Sequence, residues 1–226
     1  MASFRTHISF GIAAGVLSII GLVSLAVTKE PSFLVVLFVM AALGSILPDM
    51  DSDSGIPFYV AFGSLTVVAT TLTFFSLYRD VPSNWRVIIT ATLGTAVFVW
   101  VIVGHFFKRF TRHRGMAHSL PAALLAGLIV FFLASRFYFT DQEAFLLAVA
   151  MIAGFLIHLL LDEIYAAVNF HGKLFVPNKA FGSAFKLRSD NMLINLAVFG
   201  VIVFLIAGNV QRLWGLAEGF WKTIVD

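Results

Sequence analysis

Seven long stretches with almost no charge dominate this chain. They run roughly over 7–27, 33–47, 56–78, 87–107, 119–138, 143–168 and 192–210. A helix needs about 20 apolar residues to cross the hydrocarbon core of a bilayer, and most of these stretches reach that length. Only 12% of the 226 residues are charged and 60% are hydrophobic, with 25 Phe. Soluble domains carry about twice that charge. Folded in water, such a chain would expose large apolar patches. The sequence therefore predicts an all-α, polytopic transmembrane helix bundle of about six to seven spans. The run 33–47 is short and stops at Pro48, so it is expected to be a tilted short span or one that does not cross fully. With Arg5 ahead of it and no small-residue cleavage site behind it, the first run is expected to be a retained span.

The rest of the composition excludes several classes. The net charge of +3 comes from basic residues in short loops, which set topology and do not indicate nucleic-acid binding. With no cysteine, there is no disulfide framework and no thiolate metal site. If all seven runs cross, one face carries nine basic residues: Arg5, Lys108, Arg109, Arg112, Arg114, Lys173, Lys179, Lys186 and Arg188. The other carries six: Lys29, Arg79, Arg86, Arg136, Arg212 and Lys222. This bias places the N-terminus in the cytoplasm. After residue 210, Leu213, Trp214, Leu216, Phe220, Trp221 and Ile224 form an apolar stripe. Residues 1–210 thus read as the transmembrane domain that holds the site. Residues 211–226 read as an amphipathic tail lying in the interface, or as an aromatic anchor for the last span.

Four polar islands interrupt the apolar pattern, and the topology puts them all on the same face. They are His7; Asp49, Asp51 and Asp53; the run from His113 to Ser119; and His158 with Asp162. Ionisable groups beside hydrocarbon are costly and mark functional sites. His158 and Asp162 are four apart in a helical pattern, so they share one face. They can bind one cation together, or the Asp can orient the imidazole; a hydrogen-bonded structural pair is the plainer alternative. Asp49 and Asp51 flank Met50 after a proline and can face one ion in an extended or turn conformation. Asp53 is assigned mainly to capping the third span. His113 and His118 bracket Gly115, which permits a bend that turns both rings inward. Ser119 with Pro121 reads as the start of the fifth helix. Arg114 is a candidate clamp for a phosphate or carboxylate, or simply a topological charge. His7 alone would be an interfacial histidine. His105 and His171 are left out of the site, and Glu163 is expected at the interface, off the face of His158 and Asp162.

Taken in order, Thr6-His7, Leu47-Pro48-Asp49-Met50-Asp51, His113-Arg114-Gly115 with His118-Ser119, and His158 with Leu161-Asp162 resemble the YdjM-type family of membrane-bound, metal-dependent hydrolases. These are LexA-regulated proteins of the bacterial and archaeal cytoplasmic (inner) membrane. Gly172 and Pro177 also fit the family's loop, and the resemblance runs from residue 6 to about 178. It implies a multi-pass inner-membrane protein with a divalent-metal hydrolase site, and it makes His7, Asp49, Asp51, His113, His118, His158 and Asp162 the family's polar positions.

Imidazole and carboxylate donors without thiolates suit Zn²⁺ or Mn²⁺, with Fe²⁺ also possible. The candidate ligands His7, Asp49, Asp51, His118, His158 and Asp162 exceed one tetrahedral shell, so one ion or two is expected. Asp51, His113 and Arg114 are the candidate catalytic residues: Asp51 as base or second ligand, Arg114 holding an anionic oxygen. Membrane lipids are the expected partners, with an anionic lipid or lipid phosphoester as the leading substrate. A cation or proton transporter using the same cluster, and a metal-stapled protein without catalysis, are the rival classes.

Overall fold

A computed structural model describes residues 2–51, 55–105, 116–137, 139–167, 182 and 185–225. The described residues are helical with no strand. The helices are α1 (Phe4–Ser24), α2 (Pro31–Gly44), α3 (Ile56–Asp80), α4 (Trp85–Val97), α5 (Leu120–Phe137), α6 (Asp141–Ala167) and α7 (Met192–Val225). A 3-10 turn, Leu47–Asp51, links α2 towards α3, and α4 continues as a π turn over Phe98–Val103. The seven apolar runs thus become seven helices. Five are long and apolar enough to cross a membrane, while α2 and α5 are shorter. Fourteen residues make α2 roughly 21 Å long, short of the ~30 Å hydrocarbon core.

Local chemistry sets the helix ends. Ser3 caps α1 by accepting from the Thr6 nitrogen at 3.2 Å. Pro31 opens α2, where its missing N–H costs nothing. Thr140 and Glu143 form a reciprocal capping box on α6: each side chain accepts from the other's backbone nitrogen, at 3.3 and 2.9 Å. Ser119 caps α5 by accepting from the Ala122 nitrogen at 3.3 Å, as its sequence context predicts.

The bundle is organised around α6. Over half of its span (56%) is buried, against 17% or less for the other four long spans. It packs against α1, α2 and α5. Its contact with α2 is very close, because Gly44 and Gly154 face the opposing backbone. A methyl on Gly44 would meet the Met151 carbonyl oxygen, and one on Gly154 would meet that of Ala41. Small residues permit this approach, and packing in a bilayer depends on it. The core beside it comprises Phe33, Leu37, Met40, Ala41, Leu147, Ala150 and Met151. The hairpin of α3 and α4 joins the bundle at one end, where Phe58, Phe62 and Val99 pack on Ile46 and Met50.

No break separates residues 210 and 211; α7 runs uninterrupted for 34 residues, roughly 51 Å. Leu213 and Leu216 pack beside Phe131, Ala144 and Ala148, while Trp214 is exposed. Composition changes at 210 but the backbone does not, because nothing in the local sequence stops a helix there. The side chains from Phe220 onward, including Trp221 and Ile224, lie outside the described residues.

Candidate metal centre

Helix direction brings the polar islands together. α1 begins, and α2 and α6 end, at the same end of the bundle. His7 sits in the first turn of α1, Asp49 in the 3-10 turn, His118 just ahead of α5, and His158 and Asp162 in the last third of α6. The rings of His7 and His158 stack with centroids 3.7 Å apart, and His118 meets His158 edge-on at 5.5 Å. Asp49 Oδ1 lies 3.3 Å from His118 Nε2 and 3.5 Å from His158 Nε2. Asp49 Oδ2 lies 3.9 Å from His7 Nε2. Asp162 reaches His7 Nε2 at 3.4 Å through Oδ1 and His158 Nε2 at 3.9 Å through Oδ2. His7, His158, His118 and Asp162 are buried, and Asp49, 13% exposed at its side chain, is the most accessible of the five.

His158 fixes the electrostatics. Its Nδ1 lies 2.7 Å from the Ser45 carbonyl oxygen, which can only accept, so Nδ1 carries a proton. Nε2 is then the atom that faces the cluster, carrying a lone pair whenever the ring is neutral and a proton whenever it is charged. It faces the Asp49 and Asp162 carboxylates across 3.5 and 3.9 Å. Electron pairs gathered in a buried space repel unless a proton or a cation lies between them. Among the described residues neither ring nitrogen of His7 has a hydrogen-bond partner, although the residue is 1% exposed. Buried polar atoms are rarely left so.

The donors fit a small divalent ion. Ligand atoms about 2.0–2.2 Å from a tetrahedral centre lie roughly 3.3–3.6 Å apart, and the closest contacts here are 3.3–3.5 Å. Two trios have metal-binding geometry: His7, His158 and Asp162, and Asp49, His118 and His158. They share His158, which has one lone pair to give because Nδ1 is held by Ser45. His158 therefore serves a single ion. Nitrogen and oxygen donors of this kind suit a borderline or hard divalent metal.

Asp49 lies outside the spanning helices. Burial raises its pKa, but hydrogen bonds with His118 and His158 and the charge of His158 and His7 outweigh that. Its carboxyl is held well below the usual carboxylate range.

Of the predicted residues, His7, Asp49, His118, His158 and Asp162 are brought together. Asp51 ends the 3-10 turn, but its side chain lies outside the described residues, as do His113, Arg114, Asp53 and His171. His105 is exposed. Glu163 differs from expectation. It is buried and accepts from the Gly182 nitrogen at 2.8 Å. Two contacts escape sequence reasoning because they use backbone: the Ser45 carbonyl that orients His158, and the Ala2 nitrogen that donates to Asp162 Oδ1 at 3.2 Å.

The fold and the centre define a multi-pass membrane protein with a buried His/Asp cluster able to hold a metal ion. The family model for the YdjM inner membrane protein matches residues 1–221, and the chain belongs to that family. No curated protein and no solved structure matches the chain.

Proposed function

We propose that this protein is a metal-dependent hydrolase of the inner membrane, working at the cytoplasmic interface on a lipid or phosphoester substrate. The observation that carries this reading is the buried cluster in which Nε2 of His158 faces the carboxylates of both Asp49 and Asp162, with His7 and His118 beside it. His7, Asp49, His118, His158 and Asp162 are the proposed ligands of one divalent ion, Zn²⁺ or Mn²⁺, with a second only if Asp49 bridges. When bound, such an ion supplies Lewis acidity and activates water near neutral pH. The chain's own residues do the rest. Ser45 locks the His158 tautomer. Asp49, the most exposed of the five donors, stays ionised and is the carboxylate nearest solvent. Asp51 is the proposed general base, Arg114 is proposed to hold an anionic oxygen of the substrate, and His113 is a further catalytic candidate.

The centre lies near the helix ends where α1 begins, which favours interfacial chemistry over a path through both leaflets. A second reading rests on the way the cluster ties α1, the 3-10 turn, the lead into α5 and α6 together. Such a metal could staple helices without catalysis. Elemental analysis of the detergent-purified protein, wild type beside His158→Ala and Asp162→Ala, tests the site. Stoichiometric Zn or Mn is expected in the wild type and its loss in both variants. Metal retained in either variant, or none in the wild type after reconstitution, would overturn the ligand assignment. Turnover of lipid phosphoesters by the loaded wild type alone separates hydrolase from staple.

A further inference from the structure

The stacked pair of histidines divides the centre in two. An imidazole lone pair lies in the plane of its ring. The rings of His7 and His158 are nearly parallel, tilted by 15°, with centroids 3.7 Å apart. A single ion shared by both nitrogens would have to sit between the two planes. It would lie roughly 1.3–1.9 Å out of each, a large part of a zinc–imidazole bond of about 2.0–2.1 Å. Such an ion would be well off the direction of either lone pair. Ions lying in the two planes would instead be separated by about the stacking distance, and two-metal sites hold their ions about 3.5–4 Å apart.

The carboxylates follow the same division. Asp49 turns Oδ2 towards His7 Nε2 at 3.9 Å, and Oδ1 towards His158 and His118 at 3.5 and 3.3 Å. Asp162 does likewise, with Oδ1 3.4 Å from His7 Nε2 and Oδ2 3.9 Å from His158 Nε2. Each carboxylate thus offers one oxygen to each stacked ring. Backbone groups hold both sides. The Ala2 nitrogen donates to Asp162 Oδ1 beside His7 at 3.2 Å, and the Ser45 carbonyl accepts from His158 Nδ1 at 2.7 Å. Protons alone would draw the groups closer, because a charge-assisted N–H···O bond is about 2.7–2.9 Å long. All five imidazole–carboxylate contacts are longer than that, at 3.3–3.9 Å.

We propose that the centre holds two divalent ions, one on His7 and one on His118 and His158, with Asp49 and Asp162 bridging them. This rests on the ligand set proposed above and adds the second ion that a bridging Asp49 allows. It is independent of whether the centre hydrolyses anything. With one imidazole against two, the His7 position is the weaker. It fills second and is read with metal added.

The full-length protein in detergent, stripped with a chelator, is titrated with Mn²⁺ by equilibrium dialysis, and each loaded sample is examined by electron paramagnetic resonance. The wild type is expected to bind two equivalents in sequence, the second bringing an exchange-coupled spectrum in place of that of an isolated ion. His7→Ala should bind one equivalent and stay uncoupled. If His7→Ala is not monodisperse, His7→Phe keeps a ring against His158 and removes the donor. A wild type that saturates at one equivalent would overturn the second ion and leave the one-ion centre standing. Two equivalents without coupling, or two retained by the His7 variant, would place the second ion elsewhere and overturn the pair. No bound ion at all would overturn the ligand set and the pair together.

Discussion

Gly44→Ala tests how the centre is held without touching a ligand. The added methyl would run into the Met151 carbonyl oxygen and come to 3.0 Å from the Phe155 nitrogen. Both are helix backbone and cannot swing aside, so α2 and α6 must part by about 1 Å to regain van der Waals contact. Overpacking of this kind costs about 1–3 kcal/mol. Ser45 is the next residue on α2, and its carbonyl holds His158 Nδ1 at 2.7 Å. A 1 Å retreat takes that contact beyond hydrogen-bonding distance and removes about 0.5–1.5 kcal/mol more. The sum is about 2–4 kcal/mol. With its orienting partner gone, His158 should also bind metal about 10–100-fold more weakly. Thermal unfolding in detergent and a Zn²⁺ titration read the two effects. Gly63→Ala and Gly94→Ala, whose methyls would meet nothing within 4 Å, should leave both unchanged or raise stability slightly. Wild-type melting and wild-type metal affinity in Gly44→Ala would refute the link between helix approach and ligand orientation.

Acidification should empty the centre through its imidazoles. Asp49 has a depressed pKa, so its stabilising contribution is complete above its unfolded value of about 3.9 and is lost only as pH falls through the lower folded value. It therefore stays ionised from pH 8 down to about 4. Protons and metal compete for the same imidazole lone pairs, so bound metal followed by dialysis and elemental analysis should be retained at neutral pH and released on acidification. Release only below about pH 4 would implicate the carboxylates alone. Ser119→Ala removes the cap of α5, whose hydroxyl accepts from Ala122 and donates to Met116. A loss of about 0.5–2 kcal/mol in thermal stability is expected, and an unchanged melting temperature would count against that role.

The helices were legible because each apolar run is long and bounded by loop chemistry. Glu30-Pro31, Ser119-Leu120-Pro121 and Thr140 with Glu143 mark where α2, α5 and α6 start, and they carry that information locally. The shared face of the polar islands was legible too, since alternating spans fix which ends meet. His7 was the hardest of the five to read. Alone at a helix start it looks interfacial, and only its stacking on His158 places it in the centre. The Ser45 carbonyl carries no signal at all, because every residue has one. The spacing of Gly11, Gly44 and Gly154 was the available hint, since each meets a neighbouring helix too closely to carry a side chain. Burial of Glu163 was not legible because the group that meets it is the backbone nitrogen of Gly182, distant in sequence.

The centre also fixes an order of assembly. His7 precedes its partners Asp49, His118, His158 and Asp162 in the chain, and they lie as far on as α6. Contacts this distant in sequence close late, after the loop-closure cost of all the intervening chain. Until α6 has entered the bilayer, His7 and Asp49 wait in the membrane without the donors that complete either trio. A bundle with α6 missing or wrongly inserted therefore cannot form the histidine–aspartate cluster.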